Sequence, residues 1–418
     1  MRLIADFHTH SRFAMACSPR ITIRGMETSA YEKGIGLLST GDFTHGQWLA
    51  ELKANLEPIG DTGLFRIKGS DSNVRFILGG EVSTIFEGTD KRTKKIHNMI
   101  ALPDFESVDS LRDALKKYGS LESDGRPQLS MSAAQLVEDV FRISNDAFVF
   151  PAHAWTPYFG VLGSISGFDS IKDAYEDQEK RIFALETGLS SDPAMNWRVS
   201  ALDKYALLSN SDMHSLPKLG REANVFELDE KYITYKGIIK TIRDRDTKRF
   251  KRTLEFYPEE GKYHFDGHRE CGFSVDPTNS NVSVCRVCGK KLVVGVMHRV
   301  NDLADRQVGF RPKEMIPYTS LVPLLEVIAY AMRKSTFSPA VESQYRKLLG
   351  LGKEFDVLIE TDIGAIRENS SEEIARAIEN VRNGKITIVP GYAGVFGELE
   401  LLNRKPKRAD PSRQRGLF

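Results

Sequence analysis

Leu3-Ile4-Ala5-Asp6-Phe7-His8-Thr9-His10-Ser11 is an apolar run that ends in two imidazoles one residue apart. The run has the length of a buried strand. Alternation along a strand puts His8 and His10 on one side of it. The same arrangement, a short apolar run closing on a metal-ligand side chain, recurs along the chain. Candidate strands cover residues 3–7, 36–39, 76–80, 97–101, 147–151, 183–186 and 206–209, with helix-like stretches such as 107–118 and 132–143 between them. Ser130 and Ser132 stand where a helix start needs a capping hydroxyl. Alternating strand and helix predicts a parallel α/β sheet closed into a barrel, whose strand ends converge on one face.

That convergence gathers a definite set of side chains. Asp42 ends Thr40-Gly41-Asp42, Glu81 closes Leu78-Gly79-Gly80-Glu81, and His97 opens the next strand. His153 lies in Pro151-Ala152-His153-Ala154, and Asp212 and His214 follow the last strand. Neutral imidazoles and carboxylates suit Zn²⁺ or Mn²⁺. One histidine alone, such as His45 or His298, reads better as a packed residue. Five histidines with three acids at successive strand ends read as a metal cluster.

The bulk numbers fit a chain of two or three domains. It has 418 residues, 41% hydrophobic and 28% charged, with a formal net charge of +1. No stretch has the length of a membrane span, and the start reads as a strand rather than a leader, so a cytoplasmic location is expected. Basic residues are locally dense, with nine against two acids in 231–253 and six against one in 404–415. Either run alone reads as a solvated face or tail.

Four cysteines do not make a disulfide framework, and three of them cluster. Cys17 stands apart and reads as a packed small side chain. His268-x2-Cys271 and Cys285-x2-Cys288 form two knuckle-like pairs, with Gly289 after the last thiol. Three thiolates and an imidazole predict one closed structural Zn²⁺ site, in a segment too poor in core residues to fold unaided. His264 is the competing ligand. The expected division is a barrel over 1–254, a zinc finger over 255–299, a partly helical domain over 300–402 and a disordered basic tail over 403–418. Helix-like stretches at 321–332 and 371–383, then a strand at 385–389 leading into Pro390-Gly391-Tyr392-Ala393-Gly394, fill the third region.

Asp6-Phe7-His8-Thr9-His10-Ser11, Thr40-Gly41-Asp42, Glu81, His97, His153 and Asp212-Met213-His214 resemble the motifs of the PHP phosphoesterases. The resemblance implies a distorted seven-stranded, TIM-like β/α barrel holding two or three divalent ions, Zn²⁺ or Mn²⁺, with Mg²⁺ as a harder alternative. It implies one ion at His8, His10, Glu81 and Asp212. A second would share Glu81 and add His97 and His153, and a third would use Asp42 and His214. The family often has histidine where Asp42 stands, so the third site departs from its pattern. Metals a few ångström apart can neutralise a phosphate, acidify a water and stabilise the leaving oxygen, so no side-chain nucleophile is required. Asp212, Glu81, His153 and His214 are the expected catalytic set.

The order of parts is similar to that of the endonuclease Q family. Pro151-Ala152-His153-Ala154-Trp155-Thr156-Pro157, Gly188-Leu189-Ser190-Ser191-Asp192 and Leu219-Gly220-Arg221-Glu222-Ala223-Asn224 carry the likeness. It implies hydrolytic nicking of damaged double- or single-stranded DNA. The cut would fall 5′ to deaminated bases (uracil, hypoxanthine, xanthine) and at abasic sites, which places the protein with the nucleoid. His45, Trp155, Thr156 and Tyr158 are the expected contacts for an extruded base, with Lys94, Lys95 and Arg221 on phosphates. Phe43, Trp48 and Phe159 are further aromatics in the same stretches. The ending Gln414-Arg415-Gly416-Leu417-Phe418 resembles a sliding-clamp-binding peptide, with Gln414, Leu417 and Phe418 as anchors. The rivals are a small-molecule PHP phosphatase of the histidinol-phosphate type, an amidohydrolase, and a clamp-tethered DNA-binding scaffold.

Overall fold

Each of the seven expected strand segments is a strand in the computed structural model, which describes residues 1–402. The clamp-peptide residues Gln414, Leu417 and Phe418 lie outside the described residues. Strand Arg2–Asp6 is central. It runs parallel to Leu37–Ser39, which runs parallel to Arg75–Glu87, and antiparallel to Ala223–Glu227 on its other side. Ala223–Glu227 pairs antiparallel with Phe250–Glu255, and Tyr318–Ser320 joins that strand in parallel. Ala184–Glu186 and Ala206–Leu208 form a separate parallel pair.

The expectation of an all-parallel sheet needs correction. Residues 76–80 and 97–101 are not two strands with a crossover between them. They are arms of one long hairpin, Arg75–Glu87 with Thr93–Leu102, paired antiparallel from Leu78↔Leu102 to Glu87↔Thr93. Thr84, Ile85 and Phe86 extend the first arm because β-branched and aromatic side chains suit a pleated surface. Thr93–Leu102 is antiparallel to Phe148–Pro151 as well. Glu81 and His97 are therefore interior to strands rather than at their ends.

Alternation sorts the core into two layers. Leu3, Ala5 and Phe7 join Leu37, Ile77, Met99, Phe148, Phe150 and Leu208 in one buried cluster. Ile4, Leu38, Phe76, Leu78 and Ile100 face the opposite way, against helices. One of those helices, Ala133–Ile143, begins at Ser132, whose hydroxyl accepts from the Gln135 N–H. Ser130 has no such part.

Beyond the sheet, Asp266–His268 and Phe273–Val275 form the small hairpin of the cysteine-bearing segment. Leu324–Met332, Pro339–Leu349 and Glu372–Arg382 make up a helical region. The expected strand near 385–389 is Thr387–Val389, paired with Glu398–Glu400. Gly391 in its turn accepts from the Phe265 N–H, tying the last described segment to the cysteine-bearing one. Among the described residues, no helix is long and apolar enough to cross a membrane.

Candidate metal centre

Glu81 lies opposite Met99 in the hairpin register, so Glu81, Met99 and His97 share one face of the sheet. His8 and His10 follow the first strand, His153 follows Phe148–Pro151, and Asp212 and His214 follow Ala206–Leu208. Three overlapping groups result, each with ligand atoms within 4.8 Å of one another: His8, His10 and Glu81; Glu81, His97 and His153; His10, Asp212 and His214. His8, His10 and Glu81 are completely buried.

His10 Nε2 meets Asp212 Oδ1 at 3.0 Å and His97 Nδ1 meets His153 Nε2 at 3.2 Å, but two ligand atoms stay unsatisfied. Glu81 Oε1 is 2.9 Å from His97 Nδ1 and 3.2 Å from His153 Nε2, yet no N–H is aimed at it. His8 Nε2, 3.6 Å from both Glu81 and Asp212, also has no hydrogen-bond partner. Buried polar atoms are ordinarily paired. Converging orphan nitrogens and oxygens are the donor set of a divalent cation, so these residues fit the metals that the sequence implies.

The other nitrogen of His8, His10 and His153 is held from behind. His8 Nδ1 donates to Glu186, at 3.0 Å from Oε2, and Glu186 also accepts from Asn210 and from the His153 backbone N–H. His10 Nδ1 is 2.9 Å from Asp42 Oδ1. Thr156 Oγ1 donates to the His153 carbonyl, which leaves its lone pair for His153 Nδ1 at 2.9 Å. An imidazole that donates through Nδ1 presents a lone pair at Nε2.

Asp42 is thus not in the ligand groups, contrary to its expected place in a third site. Its second oxygen accepts from the Ser11 N–H at 2.5 Å, so both oxygens are already engaged. His214 shares its group with His10 and Asp212 instead.

Electrostatics follow from crowding. Burial disfavours charge on His8, but Glu186, Glu81 and Asp212 outweigh it and hold its pKa well above the usual value. His10 is raised to about 9 against the same burial, chiefly by Asp42 and Asp212. Burial pushes His97 down to about 4, with His153 and Arg126 assisting and Glu81 opposing. Burial works against the charge of Glu81 and Asp212, yet the surrounding imidazoles keep both well below the carboxylate range. These upward shifts favour a proton on His8 and on His10 beside the anions, and a divalent cation exchanges for such protons.

The backbone is strained at this centre. Asp42, His153 and Asp212 all have left-handed φ, at 43°, 30° and 45°. Each costs about 1–3 kcal/mol, a strain that clusters at functional sites. Gly188 accommodates one of these bends, since a Cβ there would sit 2.6 Å from that of His153.

The expected DNA-contacting residues scatter. Trp155 is fully buried and donates to Asn196, and Phe43 and Trp48 are equally buried, so these three belong to the core. His45 is buried and stacks on Phe13 at 4.3 Å. Lys94 is fastened to the Gly167 carbonyl and Asp90. Arg221 donates to the Ser211 and Asp212 carbonyls, which makes it a brace for the ligand loop. Thr156 orients His153. Tyr158 is 55% exposed, and Phe159 packs 4.3 Å from the His97 ring with Lys95 Nζ 5.5 Å from its centroid.

Sequence reasoning missed Glu186, although it ends a strand that was recognised. It also missed Arg126, which has no periodic or motif signal. A cavity of about 350 Å³ lined by Trp197, Tyr205, Arg245 and Ile316 contains none of the metal-centre residues.

A second donor cluster joins His268, Cys271, Cys285 and Cys288, all within 4.8 Å. Gly289, at φ 73°, returns its N–H to the Cys285 carbonyl, a turn that suits a thiolate knuckle. His264 is not in this group.

Residues 323–385 match the family described as the MJ0043 C-terminal domain. The uncharacterized protein MJ0043 of Methanocaldococcus jannaschii is 32% identical over 268 residues, which are 62% of this chain. The chain spans only 32% of that relative's length. The uncharacterized protein YqxK of Bacillus subtilis is 25% identical over 96% of this chain and 99% of its own. The lesion-specific endonuclease PfuEndoQ from Pyrococcus furiosus superposes with a TM-score of 0.84 at 34% identity, covering 97% of this chain and 98% of that one. An endonuclease Q in complex with a 27-mer duplex substrate, carrying an abasic lesion at the active site, gives 0.83 at 33% identity over 98% and 100%.

Proposed function

The chain belongs to the endonuclease Q family, and from that premise we propose that this hydrolase acting on DNA nicks strands on the 5′ side of uracil, hypoxanthine, xanthine and abasic sites. The observation that carries the reading is the metal centre, whose ligands converge with His8 Nε2 and Glu81 Oε1 unsatisfied. His8, His10, Glu81, His97, His153, Asp212 and His214 hold two or three divalent ions, Zn²⁺, Mn²⁺ or Mg²⁺. Bound there, the ions supply neutralisation of the phosphate, an acidified water and a stabilised leaving oxygen.

The protein's own groups prepare that chemistry. Glu186, Asp42 and Thr156 set the tautomers of His8, His10 and His153. Arg221 holds the Ser211 and Asp212 carbonyls and with them the Asp212–His214 loop. Exposed Tyr158, and Lys95 against the Phe159 ring, meet the DNA.

The seven strand segments supply His8 and His10, Asp42, Glu81, His97, His153, Glu186 and Asp212 in chain order, which supports reading the sheet and the 184–186/206–208 pair as a distorted seven-stranded barrel. We assign the barrel to residues 1–254, the finger, with a structural Zn²⁺ on His268, Cys271, Cys285 and Cys288, to 255–299, and the partly helical region to 300–402.

The test is nicking of duplexes that each carry one uracil, hypoxanthine, xanthine or abasic site, with the cut mapped and a metal-free control. Cleavage 5′ to the lesion that requires metal is expected. Cleavage of undamaged duplex at equal rate, or activity confined to small phosphomonoesters, would overturn the assignment.

A further inference from the structure

Arg126 is the cation inserted among the ligands of the metal centre. Its Nη1 is 3.3 Å from Glu81 Oε2, and its side chain is only 18% exposed. Its charge also acts on Asp212, His97 and His214, so that together with Glu81 it reaches all three ligand groups.

The loop that carries it is clamped from two directions. Gly125 N–H donates to the Phe13 carbonyl, and Asp124 Oδ1 accepts from both Met15 N–H and Arg126 N–H. Pro127, on the other side, accepts from Ser83 N–H in the strand that bears Glu81. The fit leaves no spare room, since a Cβ on Gly125 would lie 2.5 Å from Asp42 Oδ2. Arg126 thus starts from a fixed backbone with the loop 11–17 that follows His10 on one flank and the Glu81 strand on the other.

A guanidinium so placed needs an anion. Glu81 serves two of the three ligand groups. Divalent ions drawn to its oxygens repel a guanidinium on the same carboxylate. Arginine cannot discharge by losing its proton, so it must turn to another acceptor. A phosphate oxygen satisfies both demands, because it offers acceptors to metal and to guanidinium at once.

We propose that Arg126 is a phosphate-binding residue of this centre, taking a non-bridging oxygen of the scissile phosphodiester. The proposal rests on the endonuclease reading for its substrate, but the phosphate chemistry is testable without it. Removing the guanidinium weakens phosphate binding while the ligand set and its metals stay. If Arg126 only balances Glu81 and Asp212, its removal alters metal content and leaves phosphate affinity alone.

The experiment uses the full metal-loaded chain as wild type, Arg126→Ala and Arg126→Lys. Metal content is measured by elemental analysis, inorganic phosphate binding by calorimetry, and binding of an abasic duplex with and without a methylphosphonate at the scissile position. For Arg126→Ala, metal content equal to wild type and about tenfold weaker phosphate binding are expected. The methylphosphonate weakens wild-type binding but has little further effect on Arg126→Ala. Arg126→Lys, which keeps the charge, falls between. Loss of metal from Arg126→Ala with unchanged phosphate affinity overturns the proposal, as does a methylphosphonate penalty equal to wild type's. If wild type nicks no lesion yet its phosphate binding depends on Arg126, the endonuclease reading fails and this assignment stands.

Discussion

At the scale of residues, two carboxylates of the centre act differently although both border His10. Asp212 lies within ligand distance of His10 and His214, whereas Asp42 gives both oxygens to donors behind His10. Asp212→Asn should therefore lower the metal stoichiometry measured after dialysis. Asp42→Asn should keep the stoichiometry and weaken affinity by about 10–100-fold, the usual effect of losing an outer hydrogen-bonding partner. Equal loss of metal in both variants would make Asp42 a ligand after all. Glu222 and Glu255 raise a second point at this scale. Both are fully buried, each with one oxygen lacking a partner. Burial, then repulsion from Glu255, raises the pKa of Glu222, and burial raises that of Glu255 to about 8, with Asp192 adding to it. An acid with a raised folded pKa keeps its proton in the folded chain after the unfolded chain has lost it. The stability it contributes is present below its ordinary value of 4.5 and is lost as pH climbs to about 8. The melting temperature should fall across that window, and Glu255→Gln should make the fall shallower. A variant whose profile parallels wild type's would remove this pair as the cause.

Among elements, the cysteine-bearing segment and the long hairpin show what holds a piece of structure in place. Asp266–His268 and Phe273–Val275 make a hairpin of three residues per strand, marginal on its own. Its neighbours add reciprocal hydrogen bonds between Gly267 and Val293 and one from Gly295 N–H to the buried Asp266 carboxylate. A bound Zn²⁺ would supply the remainder, so Cys285→Ser should reduce zinc content by about one equivalent, as one closed four-ligand site requires. Amide exchange should then rise across residues 266–293 while the strands bearing His8 and Glu81 stay protected. Exchange rising equally in those strands would mean that the segment and the metal centre unfold together. The 75–102 hairpin needs no such staple, because Leu78, Val82, Ile96 and Ile100 are buried against the helices while Ile77 and Met99 fill the opposite layer.

Over the whole molecule, the helical region is fastened to the sheet domain by ion pairs, most deeply by Lys33 and Glu354. Their charged atoms are 2.9 Å apart in a buried contact, and Glu354 also accepts from Tyr345 O–H and Leu324 N–H. Arg2 pairs with Asp356 and Glu360, and Lys218 with Glu326, along the same seam. Removing one partner of a buried pair leaves an uncompensated charge, so Lys33→Ala should destabilise by about 3–5 kcal/mol in urea unfolding. Lys33→Met with Glu354→Gln should recover most of that loss, and equal damage in both variants would point to packing rather than charge. At this scale the division between sequence and tertiary structure is also plainest. Strand positions, the histidine and carboxylate set, and the paired Cys spacing were legible because each is a local pattern of period two, a repeated strand ending or a short spacing. Strand direction was not, since 76–80 and 97–101 look alike whether a crossover or a hairpin joins them. Nor were the parts of Asp42, Glu186 and Arg126. Glu186 meets His8 across 178 residues of sequence, Asp42 meets His10 across 32, and Arg126 meets Glu81 across 45. A carboxylate's chemistry is the same along the chain whether it will face a metal or the back of an imidazole. Only the folded distances, a few ångström in either direction, assign it to one or the other.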